Sequence, residues 1–293
     1  MIIHGAACRG YPASATAWRT TLSNLDRIKN IVCIASGKGG VGKSTTAVNL
    51  ALALTSLGHK TGLLDADIYG PSQPLMLGVS DDVKPVIRDR KFMEPVIAHG
   101  LECNSMGFLV DASTPMVWRA PMIISAFNQI LSDTLWSDLD FLIVDMPPGT
   151  GDIQLSLAQS VNVTGAVIVT TPQDVALLDA RKGIEMFRKV GVPVLGVVEN
   201  MSTHICSNCG HEEAIFGQGG GQRLAADYEV DVIGSLPLDL KIREDTDCGK
   251  PTVAIAPDSP LTQAYIALAE NLLRQVELQA GSSNVPNISV SDD

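Results

Sequence analysis

The sequence predicts an α/β protein: a doubly wound, mostly parallel sheet covered by helices on both faces. Three observations carry that prediction. Residues 31–35, 60–65, 139–145, 165–170 and 192–199 form short, nearly continuous apolar runs, as strands buried on both faces do. Stretches with helical periodicity lie between most of them. A glycine-rich turn follows the first run and opens the first helix, the position at which sheets of this kind collect ligands.

The first helix is expected over 43–57, where Ala47, Leu50, Ala51, Leu54 and Leu57 recur at three- and four-residue steps and Gly58 supplies the stop. A second, over 174–190, begins at Asp174, a carboxylate suited to cap it, and carries Leu177, Leu178 and Ile184 toward the sheet. Between residues 80 and 115 the pattern is irregular and reads as loops that decorate the sheet edge. One domain is expected over 29–277. An N-terminal extension, 1–28, precedes it, and an acidic, polar tail, 278–293, follows; both are expected to be flexible.

Composition narrows the function. Of the 293 residues, 45% are hydrophobic and 18% charged, enough apolar material for a sizeable core. The net charge of −11 argues against nucleic acid as a partner, because phosphate-backbone binders need a basic face. No run of eighteen apolar residues occurs, so no membrane partner is expected. Six cysteines are too sparse for a disulfide scaffold, which favours a reducing compartment such as the cytoplasm. Residues 1–25 carry Arg9 and Arg19 with no acid before Asp26, a faint presequence pattern that makes the mitochondrial matrix the alternative.

The glycine-rich turn reads Gly37-Lys38-Gly39-Gly40-Val41-Gly42-Lys43-Ser44-Thr45 and fits G-x-x-x-x-G-K-[ST] between a strand and a helix. Its glycines let backbone N–H groups turn onto phosphate oxygens, and the helix N-terminus adds partial positive charge. Lys43 is placed to neutralise the β- and γ-phosphates, and the Ser44 hydroxyl to meet magnesium. A second lysine, Lys38, stands directly after the first glycine. The string GKGGVGKS resembles the deviant Walker A loop of the dimeric MinD/ParA/NifH-like P-loop ATPases. That resemblance implies that Lys38 reaches across a dimer to complete the partner's nucleotide site.

Acidic residues fall at two strand ends. The first cluster, Asp65-Ala66-Asp67-Ile68-Tyr69-Gly70-Pro71-Ser72, offers Asp67 to position water during phosphoryl transfer. The second puts Asp145 after Phe141-Leu142-Ile143-Val144, a Walker B arrangement that holds magnesium through water. In the following Met146-Pro147-Pro148-Gly149-Thr150-Gly151-Asp152, the Gly149 N–H is suited to sense a γ-phosphate, and Asp152 either joins that chemistry or caps the next helix.

DADIYGPS together with VDMPPGTGD is similar to the Mrp/ApbC family of iron-sulfur cluster carriers, closely related to a mitochondrial type, over about residues 29 to 275. The resemblance implies an ATP-binding, slowly hydrolysing homodimer and assigns Asn200, in Glu199-Asn200-Met201-Ser202, to the adenine base. An amide pairs with both a donor and an acceptor edge, which suits that role. Many bacterial members carry a further domain before the phosphate loop, where this chain has about thirty residues.

Cys206-Ser207-Asn208-Cys209 is a C-x-x-C pair able to chelate one metal centre. Zinc or an iron-sulfur cluster usually takes about four protein ligands, so two such pairs from a symmetric dimer suffice; alternatively His204 and His211 complete a zinc site within one chain. The resemblance favours a 4Fe-4S cluster bridging the dimer, received from assembly scaffolds and handed to apo iron-sulfur proteins. The competing reading is a spatial-positioning ATPase of the MinD/ParA kind with a structural zinc knuckle. Cys33 reads as core packing, and Cys8, Cys103 and Cys248 have no partner at ligand spacing.

Overall fold

A computed structural model describes residues 24–80, 82–109, 119–159, 162–206 and 208–282. The presequence-like segment therefore lies outside the described residues up to Ser23, as does the tail beyond Ser282.

A short 3-10 turn, Asn24–Arg27, leads into β1 (Ile28–Ala35), the phosphate loop and α1 (Lys43–Ser56). Next come β2 (Thr61–Asp65), α2 (Gln73–Met76), β3 (Ile87–Arg88), β4 (Phe92–Met93), β5 (Val96–Ala98) and β6 (Leu101–Ser105). Then α3 (Met106–Leu109) and α4 (Ala120–Ser132) precede β7 (Leu139–Asp145) and α5 (Asp152–Gln159). The remainder is β8 (Gly165–Thr170), α6 (Asp174–Lys189), β9 (Val194–Glu199), β10 (His204–Ile205), β11 (Glu212–Glu213), α7 (Gly220–Asp227), β12 (Val232–Ser235), α8 (Leu240–Asp247), α9 (Thr252–Ile255) and α10 (Pro260–Ser282).

The main sheet has eight strands in the order β12-β9-β8-β1-β7-β2-β6-β5, parallel except for the β5–β6 pair. This is the doubly wound fold that the apolar runs predict. The strand order reverses direction about β1, which places the phosphate loop at the topological switch point, outside the carboxyl ends of the strands. Within β1 the side chains alternate by the two-residue strand period: Ile31, Cys33 and Ala35 enter one core, Val32 and Ile34 the other. The first core includes Phe127 and Ile130 of α4 and Ile184 and Phe187 of α6, and the second Leu50 and Leu54 of α1 and Leu268 and Leu272 of α10. Truncating any of these fully buried side chains to alanine costs about 2–5 kcal/mol.

α1 ends where Gly58 predicts. Gly58 adopts φ +94°, its N–H donates to Thr55 and that of His59 to Leu54, the double bond of a Schellman cap. α6 departs from expectation in two places. Asp174 is its first helical residue and Gln173 its N-cap, so the carboxylate acts on the helix dipole and makes no capping hydrogen bond. Leu177 and Ile184 are buried as expected, whereas Leu178 is 57% exposed, because it sits about a hundred degrees round the helix on the face away from the sheet. The segment expected to be edge loops instead contributes β6 and β5 to the sheet, β6 pairing in parallel with β2; residues 110–118 lie outside the described part. α10 continues to Ser282, so the start of the expected tail is helical.

Candidate functional site

The backbone of the phosphate loop explains its glycines. Gly40 and Gly42 adopt φ +82° and +80°, a region that glycine enters without strain. Gly42 is also the N-cap of α1, and a Cβ there would stand 2.1 Å from the amide nitrogen of Asn200. A Cβ on Gly37 would stand 2.2 Å from the Asp179 carbonyl of α6, whereas Gly39 and Gly40 face open space. The loop is thus pinned from behind and open in front, a cradle fitted to phosphate. Val41 is buried, and Thr45 is half-buried with its carbonyl accepting from Asn49 at 3.0 Å. Lys38 is half-buried, and among the described residues no carboxylate lies within ion-pairing reach of it.

Lys43 opens α1 and turns inward. Its Nζ pairs with Asp145 Oδ1, at the end of β7, and donates to Ser44 Oγ at 3.1 Å. Asp145 is fully buried, and its Oδ2 accepts from Gln73 Nε2 at 2.8 Å. The same Gln73 nitrogen donates to the Ser44 carbonyl at 3.0 Å.

Parallel register sets Asp65 beside Asp145. Asp65 accepts from the N–H groups of Asp67 at 3.1 Å and of Ser72 and Gln73 at 3.0 Å, and from the Ser105 hydroxyl at 3.0 Å. Burial, reinforced by the charge of Asp145, pushes its carboxyl up to about 7. Asp67 is 8% exposed and accepts from the N–H groups of Tyr69 and Gly70, both at 3.2 Å; burial raises its pKa also. Three carboxyl groups therefore share the field of one ammonium, an acidic cluster whose ionised form a hydrated magnesium ion would favour. Among the described residues no three His, Cys, Asp or Glu side chains form a closed metal cage. Magnesium beside phosphates needs none, since one or two protein oxygens, water and phosphate complete its shell, and Ser44 and Asp145 fit that demand.

The Gly149 N–H, expected to face a γ-phosphate, donates to the Ser36 carbonyl at 2.9 Å and ties the segment after β7 to the end of β1. Asn200 lies just past β9 with its N–H on the Thr170 carbonyl and its amide nitrogen on the Val41 carbonyl at 2.8 Å. Its donor thus holds the phosphate loop. Sequence reasoning missed two residues here. The motif points to Asp67, yet Asp65 binds the N–H groups of residues 67, 72 and 73, and Gln73 has no motif to announce it.

A few residues beyond Asn200, β10 and β11 form a small antiparallel hairpin with the cysteines at its tip. The Cys206 N–H donates to the His211 carbonyl at 2.9 Å, and Gly210, at φ +70°, returns its N–H to the Cys206 carbonyl at 2.8 Å. Cys206 is half-buried and Cys209 exposed. The N–H groups of Asn208 and Cys209, the Cys209 thiol and the nearby His204 hold the Cys206 thiol below its usual range. His204 is engaged elsewhere, its Nδ1 3.0 Å from the Leu238 carbonyl, and His211 is exposed. Cys33 and Cys103 lie in the cores, where burial pushes each thiol up to about 12.

This geometry has close relatives. The iron-sulfur cluster carrier protein of Pseudomonas fragi is 62% identical over 248 residues, spanning 85% of this chain and 86% of that protein. The mouse iron-sulfur cluster transfer protein NUBPL is 49% identical over 255 residues, spanning 86% of this chain and 79% of its own. A solved nucleotide-binding protein of Archaeoglobus fulgidus, in complex with ADP, superposes with a TM-score of 0.71 at 35% identity, over 83% of this chain and 94% of that one. Residues 27–273 match the family described as ParA: NUBPL iron-transfer P-loop NTPase, and with a phosphate loop, strand-end carboxylates and relatives of this kind the chain belongs to that family.

Proposed function

We propose that this chain is an ATP-hydrolysing iron-sulfur cluster carrier that works as a homodimer. Each protomer offers Cys206 and Cys209, so a dimer presents four thiolates, the set that a 4Fe-4S cluster takes. The cluster is cargo, received from assembly scaffolds and passed to apo-proteins. The observation that carries this reading is the position of the cysteine hairpin. It continues directly from the β9 end whose Asn200 clamps the phosphate loop, so one short segment joins nucleotide to thiols.

In the nucleotide site Gly37, Gly39, Gly40, Val41, Gly42, Lys43, Ser44 and Thr45 cradle the phosphates, and Lys43 leaves Asp145 to neutralise them. Ser44 and Asp145 hold magnesium, which supplies charge neutralisation at the phosphates. Asp67 orients the attacking water, and Lys38 reaches the partner's nucleotide. Asn200 keeps its amide nitrogen on the loop and offers its oxygen toward the base. Closure of the dimer on ATP then shifts the hairpin; a change of a few kcal/mol in relative affinity is enough to release cargo.

The test is anaerobic reconstitution with iron and sulfide, followed by metal counting and absorption spectra. The expected result is about four irons per dimer with a visible charge-transfer band, lost in the Cys206→Ser, Cys209→Ser double variant while ATP binding persists. A normal cluster in that variant overturns the assignment, and zinc without iron in the wild type points to a structural knuckle.

A further inference from the structure

We propose that Gln73 is a positioning residue of the magnesium site: it holds Asp145 in place when Lys43 moves to phosphate, and its free carbonyl oxygen receives a cation-bound water. The inference rests on the nucleotide-site reading above and adds a residue to it.

Gln73 is 1% exposed and starts α2, directly after the Asp65–Ser72 segment. Both neighbours of its amide group, the Ser44 carbonyl and Asp145 Oδ2, are acceptors. The amide nitrogen must therefore face them, which fixes the orientation of the group and commits both of its N–H bonds. Its oxygen, Oε1, is buried and has no hydrogen-bond partner among the described residues. An orphaned acceptor of this kind is uncommon in a folded protein, and it sits beside the serine and the aspartate of the cation site.

The two bonds to Asp145 differ in kind. Lys43 occupies Oδ1 with an ammonium that the nucleotide-site reading also assigns to phosphate, and Gln73 occupies Oδ2 with a neutral donor anchored by its own backbone N–H on Asp65. When the ammonium moves away, Oδ1 becomes free and Oδ2 stays pinned, so the carboxylate presents one defined oxygen. A hydrated cation also brings water O–H donors, and Oε1 is the acceptor waiting without one. The residue links three parts at once: the segment after β2 through Asp65, the start of α1 through Ser44, and the end of β7 through Asp145.

The experiment measures affinity for a fluorescent ATP analogue in EDTA and across a magnesium titration, for the wild type, Gln73→Met and Gln73→Asn. Methionine keeps the length and loses the amide; asparagine keeps the amide and is one methylene too short to bridge. Both variants are expected to bind in EDTA within about twofold of wild type and to need about tenfold more magnesium for half-saturation, the effect of one hydrogen bond to a charged group. Wild-type magnesium dependence in either folded variant overturns the proposal. So does an equal loss of affinity with and without magnesium, which a merely structural role produces. A wild type that binds no nucleotide at all instead overturns the nucleotide-site reading beneath it.

Discussion

Lys43 and Asp145 form an ion pair in which the side chains are 6% and 0% exposed, so removing one partner strands a charge in the interior. Lys43→Met isolates that effect, because methionine has nearly the reach of lysine and fills the same channel without the ammonium. Breaking a buried pair costs about 3–5 kcal/mol. The low end applies here, since Gln73 keeps its bond to Asp145 Oδ2 and part of the carboxylate remains satisfied. About 3 kcal/mol is a large share of the 5–15 kcal/mol typical of a domain and corresponds to a fall in Tm of roughly 5–10 °C. Adding Asp145→Asn removes the stranded charge and is expected to return about 2 kcal/mol, a coupling that two independent sites would not show. Thermal melts followed by circular dichroism, in EDTA and without nucleotide, measure all four members of the cycle. A single variant as stable as wild type, or a double variant no more stable than the single, refutes the buried-pair argument. Neither variant is expected to hydrolyse ATP.

Lys38→Ala is expected to keep most nucleotide affinity and lose turnover; an equal loss of both in binding and phosphate-release assays would show that the lysine serves only its own chain. Asp65, raised from 3.8 to about 7 by burial, binds its proton more tightly folded than unfolded, so it adds stability that is present below pH 4 and lost as pH rises through 7. That loss is read as a fall in urea midpoint between pH 4 and 7 that Asp65→Asn diminishes; a variant with the wild-type slope disproves it. Alkylation at pH 8 is expected to label Cys206 and Cys209 within minutes and to spare Cys33 and Cys103, whose thiols burial raises to about 12; peptide mapping with early label on the core pair contradicts the packing described above.

How far the fold was legible depended on whether burial was achieved with apolar atoms. The central strands announce themselves because β7 and β8 are wrapped by helices and need aliphatic side chains on both faces. β6 is equally buried but reads Leu-Glu-Cys-Asn-Ser, and its polar residues are hidden because they are satisfied: Asn104 donates to the Thr134 hydroxyl at 2.7 Å, and Ser105 donates to Asp65. A pattern test for apolar runs cannot find a strand stabilised by partners distant in sequence. The candidate site divides along the same line. Phosphate-loop glycines, Lys43 and the cysteine pair are local strings whose spacing is itself the chemistry, whereas Asp65 and Gln73 acquire their roles only when β2 pairs with β7 and α2 folds back over α1. Asn200 belongs to both groups. Its place at a strand end was readable, but its hold on Val41 across the loop was not, and that bond turns two separate motifs into one candidate machine. On the function proposed above, a movement of the phosphate loop on binding ATP would pull on Asn200, and the next stretch of chain beyond it carries Cys206.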